Sequence, residues 1–435
     1  MDPTRSLDEI ARQTAMTSPF KEVVNRLESG EKRVLLQGLP DTLLSFLFTH
    51  VQRSTRKQML VVAGDEDTAE RWRDDLQAIV GEEIVRYFPA WDIDLFEARS
   101  PDPEISELRI VTATSLMDRN PTIVVAPIEA LLAPLIPPHA LDLGTLRLKV
   151  GTEHSLEELT AHLTDCGFER VSMIDAIGQC SVRGGIVDIY PYGADHPFRL
   201  EFFGDEIESI RTFDVATQRS VNSCQEALIP PAREVLMISP LFEDYLERIP
   251  AQDPDRGDLN ELRDQLELGV SLEGIERYMS VLYDLGNGLF DYMVEPLVFV
   301  PEGDELSAAV ELVLEKARKE HKRRALEHPI DGYLPAAGWL PEQLARFQNL
   351  QLAPLGGGDG AIRFGAENPR LVEGELNLLR REIDRLHADG FAIHIRCETQ
   401  AQNSRLQEIF EDWSDHISYG LGTLHRGFLY PEARL

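Results

Sequence analysis

The chain has 435 residues and a formal net charge of −32, from 75 acidic and 43 basic side chains. That length allows about two to four domains with hydrophobic cores of their own. The acidic excess argues against a broad, sequence-independent DNA-binding face, because a negative surface repels phosphate. The four cysteines are far apart and lack C-x-x-C spacing, so neither a zinc site nor a disulfide framework is predicted. Without an amino-terminal h-region or an apolar run of about 18 residues, the pattern predicts a cytoplasmic protein that does not cross a membrane.

Residues 1–145 alternate short apolar strands with amphipathic helices, a pattern that favours a parallel α/β sheet. Ser18-Pro19 predicts the start of a helix, with Ser18 as the cap and Pro19 in the first turn, and Gly30 predicts its end. The expected strands are 33–37, 58–63, 84–88 and 122–126, and the expected helices lie near 41–52, 67–80 and 103–117.

The pattern changes at about residue 146. Ser155-x-x-Glu158 is typical of a capping box, and it predicts a helix with Leu156, Leu159 and Leu163 on one face that ends at Gly167. A β-meander follows over 180–191 and 198–214, with Gly204-Asp205 as its tight turn. We expect a small α+β domain over 146–235.

The remaining residues return to a mixed pattern. A strand at 296–300 and a long helix at 303–327 lie within 236–345, and the glycine-rich run 354–360 predicts a linker over 346–365. A further α/β domain is expected over 366–435, with a buried strand at 391–397, a helix at 400–413 and a helical apolar stripe at Leu376, Leu379, Ile383 and Leu386. Because 430–435 read as the start of a strand, we expect the chain to be a fragment of a longer protein.

One strand of the meander carries a candidate binding residue. In 199–203, Leu200 and Phe202 point to one face, and Arg199, Glu201 and Phe203 point to the other. If Leu200 and Phe202 enter the core, Phe203 is left on the wet face beside an arginine, which is typical of a protein-binding hot spot. The alternative is that Phe203 packs under a neighbouring loop.

The same segments carry a family resemblance. The string VRGG…DIYP…FRLEFFGDEIESIRTFD, from 182 to 214, resembles domain 2 of the nucleotide-excision repair protein UvrB and of the transcription-repair coupling factor family (Mfd). The segments FPAW…SP…SELRI at 88–110, TIVVAPIEALL at 122–132 and GIERYMSVLYD at 274–284 extend it over nearly the whole chain. Their order is similar to that of the amino-terminal third of the coupling factors.

The resemblance implies an architecture and a partner. In the family, domain 2 is inserted into domain 1, so the implied fold is a degenerate, helicase-like parallel sheet domain made from 1–145 and 236–345, with the α+β domain inserted between them. Domain 2 docks on UvrA in the family. The residues implied to bind UvrA are Arg183, Arg199 and Phe203, and Asp188, Glu201 and Arg211 are expected to frame them.

The loop after the first strand lacks the residues of a phosphate-binding loop. A working loop reads G-x-x-x-x-G-K-[ST], because its backbone N–H groups cradle phosphate and its lysine contacts the β and γ oxygens. Here the vestigial loop runs from Gly38 to Ser45, with Leu43 at the second glycine and Leu44 at the lysine. The corresponding loop of the coupling-factor family is also degenerate. We therefore predict an ordinary strand-to-helix turn that binds no nucleotide.

Other candidate motifs have simpler interpretations. The acidic runs 64–67 and 204–206 are predicted to be a helix cap and a hairpin turn instead of Walker-B carboxylates. The acidic span 90–107 cannot supply the Tyr-rich hairpin with which UvrB clamps DNA. The basic run 316–324 predicts a solvated helix face with the i,i+4 pairs Glu315/Lys319 and Glu320/Arg324, although a nucleic-acid contact is the alternative. The scattered histidines His154, His387, His394 and His425 share no metal-ligand spacing.

Together these features predict a non-catalytic adaptor with no metal and no cofactor. The resemblance implies that it recruits UvrA through domain 2 and so links stalled RNA polymerase to nucleotide excision repair, with polymerase and DNA bound by regions outside this chain. The first alternative is a UvrB-type or helicase-type DNA-dependent ATPase, which requires an intact phosphate loop. The second is a nucleic-acid-binding module centred on 316–324, whose affinity would fall steeply with salt.

Overall fold

A computed structural model describes residues 4–249, 257–268, 272–283, 288–324, 329–354, 358–369, 376–411, 417–422 and 424–435. Parts of four predictions lie outside the described residues: 325–327 of the long helix, 355–357 of the linker, 412–413 of the last helix and Asp284 of the 274–284 segment. The side chain of Leu376 is likewise outside the description. No helix in the described ranges has the length and apolar character needed to cross a bilayer.

The first part of the chain forms α/β units, as predicted. Helix α5 begins at Pro103, where the side chain of Asp102 accepts a hydrogen bond from the Glu104 N–H at 2.9 Å. Ser18 was predicted to be a cap, but it is already helical, and Thr17 precedes the helix without capping it. The elements are α1 (Thr4–Ala15), α2 (Ser18–Glu28), β1 (Arg33–Gln37), α3 (Asp41–Thr55), β2 (Met59–Ala63), α4 (Glu66–Val80), β3 (Val85–Tyr87), α5 (Pro103–Met117), β4 (Ile123–Pro127), α6 (Ile128–Leu132) and α7 (Pro138–Gly144).

The next part is the small α+β region. The Ser155 side chain accepts a hydrogen bond from the Glu158 N–H at 3.4 Å, which is one half of the predicted capping box, and Gly167 follows that helix with a φ of +92°. The elements are β5 (Leu146–Lys149), α8 (Leu156–Asp165), β6 (Glu169–Arg170), β7 (Gln179–Arg183), β8 (Ile186–Tyr190), β9 (Phe198–Phe203), β10 (Glu206–Phe213), β11 (Ser220–Cys224) and β12 (Glu226–Ile229).

The rest of the chain alternates helices and strands again. Short 3-10 turns at Ile275–Tyr278, Leu289–Tyr292 and Ile330–Gly332 connect them. The elements are α9 (Ser239–Arg248), α10 (Gly257–Glu267), α11 (Met279–Leu282), β13 (Leu297–Val300), α12 (Gly303–Arg324), α13 (Trp339–Ala345), β14 (Gln348–Leu352), β15 (Ile362–Arg363), α14 (Leu376–Ala388), β16 (Ile393–Cys397), α15 (Gln400–Ile409) and β17 (Ile417–Leu421).

A seven-stranded parallel sheet runs in the order β15-β1-β14-β13-β2-β4-β3. Strands from both sides of the α+β region share it, and this confirms the α/β fold class with a separate small sheet. One expectation was wrong: 346–365 is not a plain linker, because β14 lies between β1 and β13 and β15 pairs with β1. The sequence did not predict β14 because the strand is largely polar, and only its Leu350 and Gln351 are buried.

Alternate residues of the central strands enter two hydrophobic cores. On β2, Leu60 and Val62 join a cluster that includes α5, α12 and the apolar face of the small sheet. Met59 and Val61 join the opposite cluster, which is built mainly from α1 to α4. This alternation is the expected consequence of the strand repeat. It places the small sheet and the large one against a shared core.

The last two strands form a separate two-stranded sheet. Strand β16 pairs in parallel with β17, and all its residues except Cys397 are half-buried, not buried as predicted, because it has a single partner strand among the described residues. Residues 430–435 form a turn instead of a strand: the Leu435 N–H donates to the Tyr430 carbonyl at 3.1 Å. The Tyr430 hydroxyl donates to Thr17 Oγ1 at 3.0 Å, so this segment packs on the first helices.

Candidate protein-binding surface

The small sheet has the order β11-β10-β9-β8-β7-β6 and is antiparallel from β7 to β11. Its inner face is apolar, and Val187, Leu200 and Ile210 are buried there in the cluster that also contains Leu159 and Leu163 of α8. Phe202 is half-buried against the same cluster. The alternation predicted for 199–203 is therefore confirmed.

The strand register places the predicted residues together on the outer face. Asp188 lies opposite Arg199, and Arg199 lies opposite Arg211, so three charged residues form one row across β8, β9 and β10. In the next row Arg183 pairs with Ile186, which lies opposite Glu201. All these positions face away from the apolar core.

Asp188 is the centre of a hydrogen-bonded cluster. Its Oδ1 accepts from Arg199 Nε at 2.7 Å, and its Oδ2 accepts from Arg199 Nη2 at 2.8 Å and from Arg183 Nη2 at 2.6 Å. The Asp188 side chain is only 1% exposed, so it is a buried anchor and not the rim residue that was expected. Two arginines compensate the cost of burying that charge.

The two arginines differ in exposure. The guanidinium of Arg199 lies over the ring of buried Phe213, at 4.3 Å from the ring centre, and its side chain is 17% exposed. Its hydrogen bonds to Asp188 raise the pKa of Arg199. The side chain of Arg183 is 49% exposed. Of the pair, Arg183 is therefore the residue that another protein can reach, whereas Arg199 mainly covers the sheet.

A second ion pair lies beside this cluster. Glu201 pairs with Arg211 and also accepts a hydrogen bond from Ser209 Oγ at 2.7 Å. The Ser209 hydrogen bond, with the nearby arginines, lowers the pKa of Glu201. Both charged side chains are about one-third exposed, so they form a polar border whose charges cancel.

Phe203 ends β9 and is 79% exposed. Among the exposed large apolar side chains of the described ranges, it is the most exposed and the only aromatic one. The alternative, in which a loop covers Phe203, is therefore wrong. A well-exposed aromatic side chain at the end of a strand is suited to inserting into a pocket on another protein.

The β7–β8 hairpin tip brings Arg183 to the same end of the sheet as Phe203. Gly184 has a φ of +62°, which an L side chain rarely adopts. A Cβ on Gly185 would lie 2.9 Å from the Phe202 carbonyl oxygen, and the Phe202 N–H donates to the Gly185 carbonyl at 2.8 Å. The two glycines of the VRGG string thus let the tip pack directly on β9.

Sequence reasoning missed the roles of Asp188 and Phe213. The strand pattern Ile186, Asp188, Tyr190 places Asp188 on the Arg199 face, so writing out the hairpin register would have found that contact. Its burial has no signal within the sequence of β8 itself. Ser181, next to Asp188, donates to the Ser172 carbonyl at 3.0 Å, and Arg199 Nη1 donates to the Gln218 carbonyl at 3.4 Å.

The vestigial phosphate loop is closed by apolar packing. Leu43, Leu44 and Ser45 in α3 are completely buried, so the position of a catalytic lysine is occupied by a leucine in the core. Gly38 has a φ of +74°, and its carbonyl accepts a hydrogen bond from the Ala366 N–H at 3.1 Å.

The two acidic runs have structural roles. Asp65 caps α4 by accepting a hydrogen bond from the Thr68 N–H at 2.7 Å, as predicted. Gly204 and Asp205 form the two-residue turn between β9 and β10, where Phe203 pairs with Glu206. In the acidic span 90–107, the aromatic residues Trp91 and Phe96 are buried in the core.

The basic run on α12 consists largely of ion pairs. Lys316 Nζ lies 3.5 Å from both Asp94 and Glu129, which joins α12 to the acidic span. The predicted i,i+4 pairs also form, with 3.8 Å for Lys319 and Glu315 and 3.7 Å for Arg324 and Glu320. The interpretation as a solvated, salt-bridged helix face is supported.

No group of three or more metal-ligating side chains lies together within the described ranges. His154 Nε2 is 3.2 Å from Thr152 Oγ1, and burial lowers the pKa of His394. Cys166, Cys180, Cys224 and Cys397 are free thiols.

The chain is similar to known repair proteins. A family model described as the UvrB interaction domain matches residues 146–235, which contain the whole outer face described above. A transcription-repair-coupling factor of Bacillus subtilis is 23% identical over 433 residues, 94% of this chain and 36% of the relative. That of Haemophilus influenzae is 28% identical over 301 residues (68% and 25%), and that of Myxococcus xanthus is 26% identical over 437 residues (91% and 36%).

The chain covers between 25% and 36% of the length of these curated relatives. The match to the UvrB interaction domain and the similarity over most of the chain agree with the resemblance inferred from the sequence motifs. Residues 146–235 thus match the UvrB interaction domain, and the chain as a whole is similar to the amino-terminal region of transcription-repair-coupling factors.

Proposed function

We propose that this chain is a non-catalytic adaptor that recruits UvrA through the outer face of its small sheet. The observation that carries the proposal is Phe203, 79% exposed within the region that matches the UvrB interaction domain. Arg183, half exposed at the same end of the sheet, provides the polar contact beside it. An aromatic anchor flanked by an arginine is the combination that dominates many protein interfaces.

The wider role follows from the similarity to transcription-repair-coupling factors. We infer that the adaptor acts within a longer protein that links stalled RNA polymerase to nucleotide excision repair. Since the relatives are much longer than this chain, contacts with polymerase and DNA are assigned to their other regions. The net charge of −32 and the ion-paired basic run on α12 support the proposal that this chain itself binds DNA poorly.

The absence of catalysis is also a proposal, and the packing of the vestigial loop supports it. Binding of ATP at this position requires a lysine that reaches the phosphates, and Leu44 is apolar and fully buried. A titration of Mg²⁺-ATP into the chain should release no binding heat. Tight, Mg²⁺-dependent binding would favour the alternative, a UvrB-type or helicase-type ATPase.

The test of the proposed partner is isothermal calorimetry of purified UvrA with the full chain. We expect the wild-type chain to bind and Phe203→Ala to weaken binding by about 2 kcal/mol, roughly thirtyfold in Kd. Leu312→Ala is the matched control, because Leu312 is 70% exposed on α12, outside the small sheet. It should bind like the wild type. A wild-type chain that does not bind UvrA, or equal losses in the two variants, would contradict the proposal.

A further inference from the structure

We infer that Asp188 is a positioning residue that holds Arg183 in the conformation in which it meets UvrA, while Arg199 serves as a brace under the same carboxylate. This inference rests on the proposed function. It changes the roles expected from the sequence, in which both arginines were contact residues and Asp188 was a rim residue. The basis is the geometry of the three side chains and their unequal burial.

The Asp188 carboxylate is buried and held by several hydrogen bonds. Asp188 is 1% exposed, so it cannot form part of the contact area with another protein. Both of its oxygens accept hydrogen bonds from Arg199, and Oδ2 also accepts one from Arg183. A buried carboxylate held by a bidentate arginine has a fixed position, because any movement would break charged hydrogen bonds.

The two arginines are restrained to different degrees. Arg199 is held on three sides, by Asp188, by the ring of Phe213 and by the Gln218 carbonyl. Among the residues that the structure describes, the Arg183 side chain donates one hydrogen bond, of 2.6 Å to Asp188 Oδ2, and half of this side chain is accessible. Asp188 thus restricts the conformations of the long Arg183 side chain at the hairpin tip.

The restraint of Arg183 lowers the entropic cost of binding. A free arginine loses rotamer entropy when an interface immobilises it, whereas Arg183 is already restrained before the partner arrives. Two arginines around one carboxylate also leave a net positive charge on an otherwise acidic chain, and the exposed part of that charge lies on Arg183. The surface therefore presents one oriented cation near one aromatic anchor.

The test is a double-mutant cycle on UvrA affinity, measured by calorimetry with the full chain. Asp188→Asn keeps the size of the side chain and removes its charge. We expect about three- to tenfold weaker binding in the wild-type background, because the entropy of Arg183 must then be lost on association. In the Arg183→Ala background, which should itself bind about thirtyfold more weakly, Asp188→Asn should change the Kd no further. A merely structural role would give the same loss in both backgrounds and would overturn the inference.

Arg183→Lys keeps the test decisive if Asp188→Asn does not fold. Lysine retains the charge at this half-exposed position but lacks the planar group that Asp188 orients. The inference predicts a loss close to that of Arg183→Ala, and wild-type affinity in Arg183→Lys would overturn it. If the wild-type chain does not bind UvrA, the proposed function fails. If it binds and the cycle is additive, only the role of Asp188 fails.

Discussion

Two arginine–carboxylate clusters of this molecule have the same chemistry and opposite surroundings. In the first, Arg109 of α5 pairs with Glu234 at 2.6 Å, and their side chains are 0% and 1% exposed. In the second, Asp188 is equally buried but one of its arginines is half exposed. In both clusters, arginine compensates the charge of a buried carboxylate. Only the second leaves a cation accessible to another protein.

The difference lies in where the remaining donors of each arginine go. Arg109 also donates to the carbonyls of Pro89 at 3.1 Å and Pro134 at 2.7 Å, and its guanidinium lies 4.4 Å from the ring centre of Phe88. Its hydrogen-bonding capacity is used within the protein, between the end of the small-sheet region and the large sheet. Arg183 donates one hydrogen bond to Asp188 and keeps its accessible half. The burial of the arginine thus decides the role of an arginine–carboxylate pair. A buried arginine stabilises the fold, and an exposed one is available to another protein.

The largest effect is expected in the first cluster. Arg109→Ala should lower the free energy of unfolding by about 3–5 kcal/mol, because it leaves the charge of Glu234 buried without its partner. Urea unfolding followed by circular dichroism measures this loss. The double variant Arg109→Met/Glu234→Leu is the control, and it should lose less than the single variant. If Arg109→Ala is as stable as the wild type, the Arg109–Glu234 cluster does not have the structural role that separates it from the Asp188 cluster.

The second effect tests the two faces of β9. Leu200→Ala should lower the free energy of unfolding by about 2–5 kcal/mol, because it opens a cavity under the small sheet. Phe203→Ala should stay within about 0.5 kcal/mol of the wild type, because that side chain is exposed. Thermal and urea unfolding of both variants measure the contrast. The reverse outcome would mean that the register is wrong.

The third effect separates the two arginines of Asp188. Arg199→Ala should lower the free energy of unfolding by about 1.5–3 kcal/mol, since it removes a bidentate charged hydrogen bond and uncovers Phe213. Arg183→Ala should cost about 1 kcal/mol or less, because an exposed ion pair contributes little. The same urea experiment applies to both. Equal losses would show that both arginines brace the sheet.

The smallest effect concerns a buried carboxylate that accepts its hydrogen bond from the backbone instead of an arginine. Asp75 is 1% exposed and accepts from the His425 N–H at 2.6 Å, and burial raises its pKa to about 6. The folded state therefore holds the Asp75 proton more tightly than the unfolded state. The contribution of Asp75 to stability should fall as the pH rises from about 4 to above 6, by on the order of 1–2 kcal/mol.

The matched variant for that pH effect is Asp75→Asn, which keeps an oxygen acceptor for the His425 N–H. Its free energy of unfolding, measured across the same pH range, should lack this component. If the wild type and the variant have parallel pH profiles, Asp75 is not the group that titrates.

The local elements could be predicted from the sequence because their signals are local. The strand predicted at 33–37 has those bounds in the structure, and the helix predicted near 103–117 runs from Pro103 to Met117. The strand repeat placed Phe203 on the face away from the core, but only the structure shows that no loop covers it. The same reasoning missed β14, because its place between β1 and β13 depends on distant partners. It also missed the pair of Arg109 and Glu234, which are 125 residues apart.

The most direct test of the partner-binding surface is hydrogen exchange of the full chain with and without purified UvrA. If the outer face of the small sheet binds UvrA, backbone exchange should slow at the β7–β8 tip around Arg183 and at the turn after Phe203. The segments around Arg109 and Glu234 should exchange at unchanged rates, because that cluster is already sealed. Slowed exchange confined to the vestigial loop or to α12, with none at the β7–β8 tip, would contradict the account.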